Sequence, residues 1–238
     1  MDRRAAIGVM AAVRSELGRM LRDPSLRWFF LACALPAASF ALALPPGGSL
    51  AAAAPALDGA AAHALLQSGI SLSAAAGALR MSNALSSGVF ARDVLSLGIR
   101  RTVLARFTGA AAGGAALALV AGAIGVVAIG AFTGGRIAPD GITFVAAIPA
   151  GIWGGVWGAL MGTIVRAPLL VIFAAVAPLL GLALVTADRL GEAMPVAAVT
   201  RTLGVGTEPS LGSAGVAIAW LALLSVVAGW SGRFRPLL

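Results

Sequence analysis

Six apolar runs divide the chain: Trp28–Leu44, Leu65–Phe90, Phe107–Phe132, Ile142–Val165, Pro168–Val185 and Gly215–Trp230. Each is bounded by Arg, Asp, Gly or Pro. About 20 mostly apolar residues cover a hydrocarbon core of roughly 30 Å, so each run predicts one spanning helix. The runs are continuous and rich in Ala, Leu and Val, unlike the ~10-residue alternating segments of outer-membrane strands. In lipid, every backbone polar group must bond within the protein, which leaves helices. The predicted fold class is all-α integral membrane. One transmembrane domain covers 1–238, with a leader at 1–26, a six-span bundle at 27–232 and a tail at 233–238.

Composition agrees with the pattern. The chain is 60% hydrophobic and 11% charged, with a mean hydropathy of +0.98. Soluble domains sit near 45–50% apolar and about 25% charged. A water-soluble globular domain and a disordered chain are both excluded. The single Cys, Cys33, rules out an internal disulfide and a four-thiolate metal site. All 17 basic residues are Arg. A phosphate-binding loop of the G-x-x-x-x-G-K-[ST] type needs Lys, so this chain carries no such ATPase site.

The net charge of +8 changes the picture through its placement. The Arg residues lie between apolar runs, which reads as membrane orientation rather than nucleic-acid binding. With the N-terminus in the cytoplasm, 13 Arg fall on inside segments. Only Arg136, Arg189 and Arg201 fall outside, and Arg80 lies within the second run. This predicts a multi-pass protein of the cell (inner) membrane with both termini cytoplasmic. The first run has a basic leader and an Ala41-Leu42-Ala43 sequence like a signal-cleavage site. The leader is too long for an ordinary signal n-region, so the run reads as a retained span.

Two charged segments flank the first runs. In the leader, Val9, Met10, Val13, Leu17, Met20 and Leu21 share one helical arc, and Ser15, Glu16, Arg19 and Arg22 the opposite one. Arg14 sits at the border, and Asp23-Pro24 would end the helix. Such a helix suits the membrane interface, with Arg towards anionic headgroups; a solvated basic leader is the alternative. Ala91–Arg106 predicts a short cytoplasmic helix parallel to the membrane, able to dock a soluble partner; an ordinary positive-inside loop is the alternative. Pro45–Ala64, with Asp58 and His63, predicts an outer loop of little structure. Met194–Leu203, within the outer loop Thr186–Ser213, predicts a half-helix that needs packing on protein.

Chemistry within the runs is sparse. Ser73, Arg80, Asn83 and Ser87 share one helical face, a candidate translocation path or subunit contact. If the span instead starts near Ala60, Arg80 reaches the interface and snorkels. Gly151/Gly155, Gly154/Gly158 and Gly158/Gly162 form small-xxx-small pairs, and the third run adds Gly109/Gly113. Such faces let helices approach closely, within the chain or in a dimer. Pro36 and Pro178 can kink their helices. The only His, His63, has no nucleophile context, and no ligand cluster predicts a metal. No catalytic, cofactor or metal residue is expected.

Taken together, these features resemble the membrane subunits of ATP-binding-cassette (ABC) exporters of the type-2 permease class. The resemblance rests on five points: the amphipathic leader Ala5–Arg22 entering the first span through Arg22-Asp23-Pro24, the charged segment beginning Ala91-Arg92-Asp93, Gly98 with Arg100-Arg101 inside it, Pro195 ahead of the last helix, and a chain ending at Arg233 and Arg235. It covers nearly the whole chain and lives in topology more than motif. The family's segment commonly opens with an acidic-basic-acidic cluster and has a Pro after its Gly. Here the first position is Ala91 and the Pro is missing.

The resemblance implies a separate cytoplasmic ATP-binding subunit, holding ATP and Mg, coupled through Arg92, Asp93, Gly98, Arg100 and Arg101. It also implies a second permease subunit, identical or similar, with the path at their interface. The cargo would be amphipathic: a natural product, drug, lipid, peptide or haem-like molecule. Two other readings remain open on the residues: an ATPase-independent secondary transporter, and a non-transporting membrane assembly or immunity factor. The absence of intramembrane carboxylates and of inverted repeats weighs against the first of these.

Overall fold

A computed structural model describes residues 14, 18, 19, 22, 28, 29, 31–33, 35, 50–135, 137, 141–180, 194–204 and 210–234. Among the described residues all regular structure is helical, in seven helices. They are α1 (Leu50–Ser86), α2 (Val89–Leu97), α3 (Ile99–Thr133), α4 (Gly141–Ile164), α5 (Pro168–Leu180), α6 (Pro195–Thr202) and α7 (Leu211–Phe234). Three of them, α3, α4 and α7, are long and apolar enough to cross a bilayer. The architecture is that of a helical membrane protein.

The centre of the bundle is α4, inserted between α1 and α3. Its glycines present two adjacent faces. A Cβ at Gly154 would come 2.5 Å from the Ile70 carbonyl of α1, and one at Gly162 2.7 Å from that of Ala78. Gly158 meets the Ala74 carbonyl between them. Gly151 and Gly155 press on the carbonyls of Gly114 and Ala110 of α3. The sequence left these glycines open between intrachain packing and a dimer contact; they are intrachain packing. The register makes α4 parallel to α1 and antiparallel to α3.

A third face of α4 carries two tryptophans. Trp153 and Trp157 stack with centroids 5.1 Å apart, and Trp220 of α7 meets Trp157 edge-on at 6.1 Å. The Trp153 indole N–H donates to the Ala217 carbonyl of α7 (3.2 Å), and that of Trp157 to the Ala175 carbonyl of α5 (3.1 Å). Buried indoles need such partners, and here the partners are helix backbones. Four helices thus share one helix as their common neighbour.

Burial explains where polar residues are tolerated. α1 carries Gln67, Ser71, Ser73, Arg80 and Ser82, yet it packs against α3, α4 and α5. Its surroundings there are protein rather than lipid. By contrast α7 buries only Ala217 among its described residues and exposes Leu211, Ile218, Val226 and Trp230, the surface a lipid-facing helix requires.

Two expectations need correction. Within Pro45–Ala64, expected as a loop of little structure, residues 50–64 are the first turns of α1, while residues 45–49 lie outside the described residues. Ala is the strongest helix former, and Ala61 and Leu65 bury against Ile129 and Ile137. His63 therefore sits on a helix. The second correction concerns the second span, drawn to Phe90: α1 stops at Ser86, and Phe90 belongs to α2. The predicted half-helix at Met194–Leu203 is present as α6, with Pro195 at its first turn, where Pro is preferred. It buries Val196, Ala198 and Val199. Most of the first run and most of the leader, including Pro24 and Pro36, lie outside the described residues.

The glycine faces generate a prediction. Gly158→Val should lower stability by about 1–3 kcal/mol or more, since the Ala74 backbone cannot yield. Gly130→Ala, whose Cβ meets nothing within 4 Å, should leave stability unchanged or slightly raised. Thermal unfolding of both variants in detergent measures the difference; equal melting temperatures would refute the packing argument.

Candidate functional site

The site is assembled around α2, a nine-residue helix between two glycines. At the end of α1, the N–H and hydroxyl of Ser87 both donate to the Asn83 carbonyl, at 2.9 and 2.6 Å. Gly88 then turns the chain at φ 71°, ψ 2°. Gly98 ends α2 at φ 81°, ψ 152° and starts α3. The Gly98 N–H donates to the Val94 carbonyl (2.9 Å), while its own carbonyl accepts from the N–H and the hydroxyl of Thr102, both at 3.1 Å. A Cβ at Gly88 or Gly98 would meet nothing within 4 Å. The demand for glycine is thus conformational. The left-handed region at Gly88 also admits Asn, whereas the region at Gly98 is essentially glycine-only.

This geometry corrects the helix expected across Ala91–Arg106. It breaks at Gly98, and residues 99–106 are the first two turns of α3. The segment is an elbow of α2 and the root of α3.

Asp93 locks that elbow. Its carboxylate accepts from Arg106 on α3 at 2.6 Å. It also accepts a two-pronged contact from Arg19 of the leader, at 2.8 and 3.2 Å. Arg guanidinium fits a carboxylate in this forked way, and such charge-assisted bonds are strong. Asp93 and Arg106 are largely buried, at 13% and 10% side-chain exposure, so water screens their bond little. Burial alone would raise the Asp93 pKa, but the hydrogen bonds and charges of Arg19 and Arg106 outweigh it and hold the carboxyl below its ordinary value of 3.8. Three chain segments (leader, α2 and α3) therefore meet at one carboxylate.

The expected site residues divide in two. Arg92, Arg100 and Arg101 are exposed beside the latch, near Leu95, which is 88% exposed. Asp93 and Gly98 form the latch and its hinge. The Ser73–Ser87 face does not act as one stripe. Ser73 is fully buried, and its hydroxyl donates to the Gly114 carbonyl of α3 at 2.8 Å, a packing role. Asn83 and Ser87 are exposed at the end of α1. Arg80 lies six residues before that end, about 9 Å along the axis at 1.5 Å per residue. It lines a cavity with Gly77, Met81, Arg106, Ala110 and Ala159, which puts it beside the latch.

The sequence reading overlooked the roles of Arg106, Trp153 and Trp157. It placed Arg19 on the polar arc of the leader without its partner. Asp93 is the only acidic residue between Asp58 and Asp140, which was the available signal. Among the described residues no group of three or more metal-ligating side chains comes together. No family model, curated protein or solved structure matches this chain.

Asp93→Asn should weaken the elbow by about 1–3 kcal/mol, because bonds to a charged partner are lost. The depressed Asp93 pKa adds a pH signature. Its stabilisation is complete above pH ~4, the unfolded value, and fades as pH falls through the lower folded value. Urea unfolding of wild type and Asp93→Asn should therefore differ at pH 7 and converge in strong acid; a constant gap would exclude the latch. A separate measurement concerns the hinge. Gly98→Ala should cost about 1–3 kcal/mol and Gly88→Asn much less, as read by thermal unfolding.

Proposed function

We propose that this chain is the permease subunit of an ATP-driven exporter. In this reading six spans cross the inner membrane with both termini cytoplasmic, as the Arg distribution supports. A separate ATP-binding subunit docks on α2 and the root of α3, and a second permease subunit completes the path. The cargo is amphipathic.

One observation carries the reading: Asp93 joins the leader, α2 and α3 through Arg19 and Arg106, beside exposed Arg92, Arg100, Arg101 and Leu95. A force applied to α2 passes to α3 through the Asp93–Arg106 bond. It reaches the leader through Arg19. The Asp93–Arg106 bond makes α2 and the root of α3 move together. From α3 the movement reaches α4 and α1 through the glycine contacts. An exposed surface coupled mechanically to the bundle is what an external motor requires, and this chain has no Lys for a phosphate-binding loop of its own.

The test uses native membranes. A P-loop ATPase should co-purify with the full chain, and Arg100→Glu combined with Arg101→Glu should cut its recovery at least tenfold. Deletion of the chain should abolish efflux of an amphipathic cargo, and efflux from wild-type cells should stop on ATP depletion. Efflux that survives ATP depletion and collapses with the ion gradient would make the chain a secondary transporter. Efflux unchanged on deletion would favour the assembly or immunity factor.

A further inference from the structure

The Arg19–Asp93 contact fixes the leader at a particular depth. Asp93 also bonds Arg106, the residue immediately before the apolar run Phe107–Phe132 of α3. In a bilayer the latch therefore stands where the hydrocarbon ends and the headgroup layer, roughly 5–7 Å deep on each side, begins. Cys33 buries against Leu117 of α3, so the first run enters the bilayer next to α3. Trp28, just before it, is 70% exposed, and membrane interfaces favour such amphipathic rings.

Beside Arg19 the leader carries a second face. Arg14, Gly18 and Arg22 are helical and follow one another at four-residue spacing, the spacing of neighbours on one side of a helix. Arg14 and Arg22 are exposed, and among the described residues neither has a hydrogen-bond or ion-pair partner. A Cβ on Gly18 would meet nothing within 4 Å. The two guanidiniums thus flank open space. Their positions are about 12 Å apart along the axis at 1.5 Å per residue, a span over which two long side chains can converge on one anion. This face borders the apolar arc of the leader, with Arg14 at its edge next to Leu21. With that arc in the acyl boundary, both guanidiniums lie at headgroup depth. Arg100 and Arg101 precede Arg106 in α3 and stand about 7–9 Å farther from the hydrocarbon.

We infer that Arg14 and Arg22 hold the phosphate of an anionic phospholipid over Gly18, at the end of the bundle that carries the latch. Charge complementarity names the occupant. Segments 1–27 and 91–106 carry ten arginines against four acidic residues, six of the chain's eight net positive charges. Asp93, the only acid of the second segment, is already taken by Arg19 and Arg106. Arg pairs with phosphate through two parallel N–H bonds and is weakly hydrated, and juxtamembrane basic clusters draw anionic lipid. A zwitterionic headgroup brings its own cation and gains less. The inference does not rest on the exporter reading, and it leaves Arg92, Arg100 and Arg101 to a protein partner.

Native mass spectrometry of the full chain in detergent, titrated with phosphatidylglycerol or phosphatidylcholine, tests the site. The first phosphatidylglycerol should bind roughly fivefold or more tighter than phosphatidylcholine. Arg14→Gln combined with Arg22→Gln should weaken it roughly five- to thirtyfold. The melting temperature should not change, since neither side chain has a partner to lose. Arg100→Gln combined with Arg101→Gln removes the same charge and should shift binding by less than about twofold, being screened at that distance. Gly18→Glu supplies a carboxylate between the two arginines and should weaken binding more than Gly18→Gln does. Equal affinity of the wild type for the two lipids would overturn the proposal. Equal losses from the two double variants would mean diffuse charge attraction and would overturn it too. Loss of ATPase co-purification in the Arg14→Gln, Arg22→Gln variant, at unchanged phosphatidylglycerol affinity, would assign this face to a protein partner instead.

Discussion

Three helix backbones meet near the centre of this protein with almost nothing between them. Gly151 of α4 presses on Gly114 of α3, whose carbonyl also accepts the Ser73 hydroxyl of α1. Without a hydrophobic driving force in lipid, helices associate through close packing and interhelical hydrogen bonds. Small residues make both available at once here. Everything else is hung on this contact. The tryptophans extend it to α5 and α7, and the antiparallel course of α3 carries it from the bundle centre to the latch.

The same constraint explains the polarity of α1. A helix packed against three others can hold serines and an arginine that a lipid-facing helix could not. Some of these polar groups find a backbone carbonyl, as Ser68 and Ser73 do. Others do not: the buried hydroxyls of Ser71 and Ser82 on α1, like that of Thr143 on α4, have no hydrogen-bond partner. The bundle thus has a protein-facing helix of mixed composition inside a shell of apolar ones.

Much of the helical pattern was legible. Ile142–Val165 and Gly215–Trp230 fall on α4 and α7 because long apolar runs have few other outcomes in a membrane. Residues 50–64 were misread because Gly and Pro suggested a loop, while Ala propensity and burial against Ile129 decided otherwise. The glycine spacing on α4 was visible, but its partners were not; spacing names a face and not the helix that meets it. Gly98 was marked by the sequence, yet the break it makes depends on a dihedral pair that no spacing encodes. The latch was the least accessible feature. Arg19 and Asp93 are 74 residues apart, and no local pattern links residues at that separation.

That separation has a consequence for biogenesis. The Arg19 side of the latch cannot form until the chain has been synthesised through Asp93, with α1 already made. The Arg106 side needs only 13 further residues. Arg19 therefore emerges well before its partner, and its closure on Asp93 marks the point at which α1 and α2 have both been made.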